Sequence, residues 1–313
     1  YVTPHTSQGR FHNLPARFVP QVLVLRTSQP FPEHAASLLI LHPVHSFGVS
    51  RFARSAQRRQ RAPFVQYPPI THPISMSDSL ASHVLVTGAN RGIGLEWVRQ
   101  LAPQVDRLYA TCRHPDAATT LNAFTQAHAD TVRIVPLDVA APESIATARD
   151  LVADDTDALD LLINNAGIDG GAGDDGFADV TMDRMLHTLR VNTAGPHLMV
   201  QVFADLLHAA PSASVVNVTS QLGSIANTRG GTWQSYKISK AALNMATRLQ
   251  AGALGDDVIV VALHPGWVQT DMGGANARVA PEESVAGMID VIADLDASDD
   301  GAFRTFEGDS LPW

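Results

Sequence analysis

Two features of the sequence predict an α/β fold, a doubly wound parallel sheet with helices on both faces. From Ser82 onward short apolar runs alternate with amphipathic stretches of helical period, the pattern of strands joined by crossover helices. A glycine-rich turn lies between the first run and the first amphipathic stretch, where a strand hands over to a helix N-terminus.

Taken in order, His83 to Thr87 is the first apolar run, followed by Gly88-Ala89-Asn90-Arg91-Gly92-Ile93-Gly94 and a helix carrying Leu95, Val98 and Leu101. Further strands are expected at 108–112, 132–135, 159–163, 215–218 and 258–263, and a short last one at 302–306. Helices are expected near 117–127, 142–153, 180–208, 234–252 and 282–293. No internal repeat or second domain interrupts this series, so residues 76–313 read as one domain.

Residues 1–75 are different material. They hold ten of the nineteen prolines, eight arginines and a single acid, Glu33. Prolines break up the apolar bursts Val22–Leu25 and Leu38–Leu41, so a disordered or non-native extension is expected there. Three readings of its basic cluster stay open: an organelle-targeting arm, a nucleic-acid-binding tail, and sequence translated from upstream of an initiator at Met76.

From Met76 onward fourteen basic residues face thirty acidic ones, which argues against nucleic acid as a partner of the domain. No apolar run nears the ~20 residues that span a bilayer, so no membrane partner is expected. The single cysteine, Cys112, excludes an internal disulfide and a cysteine-cluster metal site and is compatible with a cytoplasmic location. The histidines show no metal-ligand spacing, and no metal is expected.

Both lysines of the chain fall in Ser235-Tyr236-Lys237-Ile238-Ser239-Lys240. On a helix, Tyr236 and Lys240 leave one face a turn apart. An ammonium there favours the phenolate and brings a tyrosine of pKa about 10 toward a working range for proton transfer to oxygen. Ser220, at the end of the run Ser214 to Ser220, can hold the same oxygen. By itself the spacing is a common helix-surface pattern; its neighbours give it weight.

Thr87-Gly88-x-x-x-Gly92-x-Gly94, Asn164-Asn165-Ala166-Gly167, Asn192, Ser220, Tyr236-x-x-x-Lys240 and Pro265-Gly266-x-x-x-Thr270 together resemble the short-chain dehydrogenase/reductase family in its single-domain form. The segment His264 to Gly274 and Leu311-Pro312-Trp313 look most like the sniffer-type carbonyl reductases and C-factor proteins. The resemblance implies a Rossmann-type domain and a carbonyl reductase. Tyr236 would be the general acid, Lys240 would lower its pKa and hold the nicotinamide ribose, Ser220 would bind the carbonyl oxygen, and Asn192 would hold a water linking Lys240 to solvent. It implies cofactor contacts from Gly88, Asn90, Arg91, Gly92, Ile93, Gly94, Asn165, Ala166, Gly167, Pro265, Gly266, Val268 and Thr270, with Asp138 and Val139 at the adenine.

An acid at the end of the second strand would favour NAD(H), but Cys112-Arg113 stands there. Arg113 with Arg91 can clamp a 2'-phosphate, which favours NADP(H), although Asp116 is close by. Ile168, Leu222, Trp233, Trp267 and Met272 flank the motifs, so a small aldehyde or ketone with apolar substituents is the expected substrate. The rival reading is a nucleotide-binding regulator with incidental activity. A homodimer through the helices at 180–208 and 234–252 is implied, with a monomer left open.

Overall fold

The computed structural model describes residues 81–171 and 176–313. The expectations for residues 1–75 lie outside the described residues.

Seven parallel strands form one sheet in the order β3-β2-β1-β4-β5-β6-β7. They are β1 (His83–Val86), β2 (Arg107–Cys112), β3 (Val132–Pro136), β4 (Leu161–Asn164), β5 (Ala213–Val218), β6 (Val258–His264) and β7 (Phe303–Thr305). Strands alternate their side chains between faces, and both faces are apolar here. Val84 and Val86 enter one core while Leu85 enters the other. Pro136 has no N–H to give a neighbour, and it sits on an edge strand, opposite Cys112, where that loss is tolerated.

The helices are α1 (Gly92–Leu101), α2 (Thr119–Ala127), α3 (Pro142–Ala153), α4 (Met182–Leu189), α5 (Gly195–Ala209), α6 (Gln234–Leu254) and α7 (Pro281–Ala293). Trp97 and Leu101 of α1, Leu121 of α2, and Val285 and Met288 of α7 fill the core on one face. Ile145 of α3, Phe203 of α5 and Leu254 of α6 fill the other. Each such fully buried side chain stabilises the fold by about 1.5–3 kcal/mol relative to exposure.

The helix expected over 180–208 is divided by a π-helical turn, Arg190–Ala194, closed by the Gly195 N–H on the Arg190 carbonyl. Pro196 follows immediately. Having no N–H, it cannot serve the Asn192 carbonyl four residues back as an α-helix would, so the regular ladder fails at this point.

Strand order reverses direction between β1 and β4, and in open α/β sheets the crevice beyond the strand ends at such a point binds ligand. Thr87 and Asn165 stitch the two loops together there. The Thr87 hydroxyl accepts from the N–H groups of Asn165 and Ala166, each at 2.9 Å, and Asn165 Nδ2 donates to the Thr87 carbonyl at 2.8 Å.

Candidate active site

Helix α6 brings Tyr236 and Lys240 to the carboxyl ends of β4 and β5. Its sheet-facing residues are locked by side-chain hydrogen bonds as well as by packing. Asn217 of β5 donates to Gln250 Oε1 at 2.7 Å and to Thr247 Oγ1 at 3.0 Å, and Thr219 Oγ1 donates to Asn244 Oδ1 at 2.7 Å. All five residues are buried, so each missing partner would leave a costly unpaired group. The helix has one seat on the sheet.

Lys240 is 4% exposed, and its Nζ donates to the Val218 carbonyl at 2.8 Å. Burial lowers its pKa to about 8. Tyr236 is half-buried beside it, with the ammonium 5.8 Å from the ring centroid. The expectation that Lys240 lowers the tyrosine pKa is not what the protein alone shows. Burial raises Tyr236 to about 12, opposed by a hydrogen bond with Ser220 and reinforced by the Asp169 carboxylate. Desolvation of the phenolate is the main cause.

Ser220 lies two residues past β5 and caps a short turn, Gln221–Gly223, by accepting the Leu222 N–H at 3.1 Å. Its hydroxyl thus has a fixed place next to the phenol. Trp233, just before α6, adopts the left-handed conformation at φ 59°, and its ring meets Tyr236 edge-on at 6.1 Å. Such a backbone is unfavourable for a bulky residue and is held by its surroundings.

Asn192, in the π turn, is fully buried. Its Oδ1 accepts from the Ile168 N–H at 2.8 Å, and its Nδ2 donates to the Ile168 carbonyl at 2.7 Å and to Ser239 Oγ at 3.0 Å. The side chain ties the loop after β4 to α6, so its amide is already engaged. A β-carbon on Gly167 would stand 3.4 Å from Asn192 Oδ1 and 3.7 Å from Lys240 Nζ, which puts Asn192, Gly167 and Lys240 at one spot.

The other expected residues lie on the loops and the start of α1 at the carboxyl ends of the strands. Gly88 has φ 68°, and a β-carbon on Gly94 would lie 2.1 Å from the Gly88 carbonyl oxygen. Only hydrogen fits there. A β-carbon on Gly92 would come 3.3 Å from the Thr270 methyl, so the glycine turn and the segment after Pro265 face each other. Asn90 and Arg91 are exposed, whereas Ile93 is partly buried. Pro265 accepts the Ser284 hydroxyl at 2.6 Å, Gly266 turns at φ 83°, and Val268 is buried. Asp138 Oδ1 accepts the Ala140 N–H at 2.9 Å, and Val139 packs under Gly195. The side chain of Asn165 serves the glycine turn itself. Helix α1, opening at Gly92, offers its N-terminus to an anion. This cradle fits the pyrophosphate of a dinucleotide.

Arg113 is exposed past the end of β2 and, among the described residues, has no ion-pair partner. Arg91 pairs with Asp271 at 2.8 Å, both exposed. Among the expected pocket residues, Leu222, Trp267 and Met272 are exposed by 38%, 48% and 41%, so they are not core residues.

Two positioning elements went unnoticed in the sequence. A β-carbon on Gly223 would lie 2.7 Å from the Lys240 carbonyl carbon; its absence lets the Ser220 turn rest on the backbone of α6. The loop beyond is held by the segment Leu311 to Trp313. Ser224 Oγ donates to the Pro312 carbonyl at 2.6 Å, the Ala226 N–H donates to the Trp313 carbonyl at 3.1 Å, and the Trp313 ring stacks on Phe303 at 5.1 Å. Contacts between residues almost ninety apart leave no local signal.

The model of the short chain dehydrogenase family matches residues 82–279, and the chain belongs to that family. It is similar to C-signal of Myxococcus xanthus, 41% identical over 163 residues that make up 50% of this chain and 95% of that protein. Among solved structures it is similar to an NADPH-bound carbonyl reductase from chicken fatty liver, with 40% identity, a TM-score of 0.70, and coverage of 74% of this chain and 98% of that one. The carbonyl reductase Sniffer of D. melanogaster is 30% identical with a TM-score of 0.70, covering 74% of this chain and 99% of that one. The chain is an oxidoreductase of this family and falls with its sniffer-type and C-factor members. Among the described residues no helix is long and apolar enough to cross a membrane, and no group of side chains suits a metal ion.

Proposed function

We propose that the protein reduces a small aldehyde or ketone to an alcohol, with NADP(H) as cofactor and Tyr236 as general acid. The observation that carries this reading is the grouping at the start of α6 of the Tyr236 phenol with Ser220, which acts on it, and with the buried Lys240 ammonium 5.8 Å from its ring. The cofactor supplies hydride to the carbonyl carbon when bound. Ser220 and Tyr236 hold the carbonyl oxygen from two sides, and Tyr236 passes its proton to that oxygen as negative charge develops on it. A phenol of pKa about 12 remains a proton donor throughout the neutral range and is still far more acidic than an alcohol, so the transfer is downhill.

Lys240 has donors left after bonding Val218, and these would hold the nicotinamide ribose. Its charge would stabilise the phenolate left on Tyr236 until a water returns the proton. Because the Asn192 amide is engaged with Ile168 and Ser239, the group offered to that water is the Asn192 carbonyl, which lacks an α-helical donor.

NADP(H) is favoured over NAD(H) by Arg113 at the end of β2, with Arg91 on the adjoining loop. The Ala89 N–H donates to the Thr111 carbonyl at 2.8 Å, which brings those loops side by side. The NADPH-bound relative supports the same choice. The exposed stripe Ile238, Met245 and Leu249 on α6, with Met182 and Leu186 on α4, supports a homodimer.

Likeness to a protein called C-signal supports a second reading, a nucleotide-binding signalling protein whose catalysis is incidental. The test follows NADPH and NADH absorbance with a panel of aromatic aldehydes and diketones. NADPH-dependent turnover that drops about 10²–10⁴-fold in Tyr236→Phe, with cofactor still bound, is the expected result. Cofactor binding without turnover across the panel would favour the signalling reading, and a clear preference for NADH would refute the roles of Arg91 and Arg113.

A further inference from the structure

We infer that Trp233 is a positioning residue for the general acid: its indole steadies the Tyr236 ring, and helix α6 takes a strained, uncapped start to bring it there. This rests on the reductase reading above and adds a residue to it.

The start of α6 departs from the rule for helices. A helix is ordinarily entered from extended backbone by a residue such as Ser, Thr, Asp or Asn, whose side chain takes up a free N–H. The residues that open α1, α3, α4 and α7, namely Arg91, Ala141, Thr181 and Ala280, are extended. Trp233 instead stands at φ 59° and ψ 39° and gives α6 no side-chain cap. Among the described residues it is the one non-glycine with a left-handed backbone. Glycine takes that conformation freely, and the chain uses it at Gly88, Gly230 and Gly266. A bulky residue that breaks two local rules at once, beside a reacting group, points to a task for its side chain.

That task is the contact with Tyr236. The two rings meet edge-on at 70°, with centroids 6.1 Å apart, a favoured arrangement for an aromatic pair. Among the described residues the indole N–H has no hydrogen-bond acceptor, so the directed contact of this side chain is the one with the phenol ring.

Tyr236 needs a neighbour from outside its helix. Helical side chains lean toward the N-terminus. Tyr236 is the third residue of α6, so it leans over the entering loop with no earlier turn beneath it. That loop is thinly packed, since a β-carbon on Gly230 or Gly231 would meet nothing within 4 Å. The ring is held by Lys240 from the following turn, with the ammonium 5.8 Å from its centroid, and by Trp233 from the loop. Proton transfer tolerates little slack, and a displacement of ~1 Å costs about 10²-fold in rate. Loosening the ring therefore slows the chemical step and spares the cofactor cradle, which other loops build.

The experiment measures the single-turnover rate of NADPH oxidation at saturating benzaldehyde, and the NADPH dissociation constant, for the full chain as wild type, Trp233→Phe and Trp233→Asn. Asparagine tolerates the left-handed backbone, so it removes the ring without adding strain, whereas phenylalanine keeps an aromatic edge. Trp233→Asn is expected to lower the rate about 10- to 100-fold. Its NADPH dissociation constant should stay within about twofold of wild type and its melting temperature within about 4 °C. Trp233→Phe should recover the rate to within about threefold of wild type. The inference is overturned by a rate in Trp233→Asn within about twofold of wild type, by a loss that phenylalanine does not recover, or by a fall in NADPH affinity as large as the fall in rate. The order of the ring is read without turnover from near-ultraviolet circular dichroism, as the difference between each protein and the same protein carrying Tyr236→Phe. That difference band is expected in wild type and Trp233→Phe and is expected to vanish in Trp233→Asn. A wild type that turns over no aldehyde would sink the reductase reading, and the band then decides the positioning role by itself: its survival in Trp233→Asn overturns that role.

Discussion

Raising the pH from 7 to 10 should remove the charge of Lys240 and leave the proton of Tyr236 in place. Burial lowers Lys240 to about 8 and raises Tyr236 to about 12. The ammonium is present below about 8 and lost above it, whereas the phenol stays neutral until nearly four units later. If Lys240 must be charged to hold the cofactor ribose, about a tenth of the free enzyme is competent at pH 9 and about a hundredth at pH 10. The assay is kcat/KM for NADPH in the direction of carbonyl reduction, a quantity that reports groups of the free enzyme. A single falling limb with its midpoint near 8 is expected, and Lys240→Met should be slow with that limb gone. Alcohol oxidation needs both the phenolate and the charged lysine, so its rate should climb up to about pH 8 and level off where the reduction falls. A reduction profile flat to pH 10, or a limb unchanged in Lys240→Met, would refute the assignment.

Gly94→Ala sets a β-carbon 2.1 Å from the Gly88 carbonyl oxygen and 2.7 Å from Asn165 Nδ2; a stability loss of about 1–3 kcal/mol and loss of NADPH binding are expected, by thermal melt and fluorescence titration. Gly223→Ala pushes on the Lys240 backbone at 2.7 Å and should lower kcat at least about tenfold while the NADPH dissociation constant moves little. Asn192→Ala strands the Ile168 N–H and carbonyl and should cost about 1–3 kcal/mol, read from urea denaturation. Arg113→Ala should weaken NADPH by about 1.5–3 kcal/mol and leave NADH binding nearly unchanged, as measured by paired titrations.

The strands and the principal groups of the site were legible because their signals are local. Val84 and Leu85 are both apolar since the sheet is covered on both faces, and a run without polar alternation reads as a buried parallel strand. Tyr236 and Lys240 share a helix, so their spacing alone sets their geometry. What was not legible depends on partners far off in sequence. The π turn at Arg190–Ala194 looked like uninterrupted helix because each of its residues is tolerated in one, although Pro196 marked the place. The amide of Asn192 is spent on Ile168, twenty-four residues away, and nothing near either residue says so. The burial of Tyr236 was not legible for a related reason: an ammonium is visible as a spacing, but depth of burial belongs to the folded molecule.

The clamp made by Pro312 and Trp313 on Ser224 and Ala226 has a practical corollary for handling the protein. The catalytic turn that starts at Ser220 is separated from this clamp by only a few residues. A bulky group attached to Trp313 would pull on that loop and, through it, on the turn that starts at Ser220. A fluorophore attached to Trp313 would report on the order of that loop.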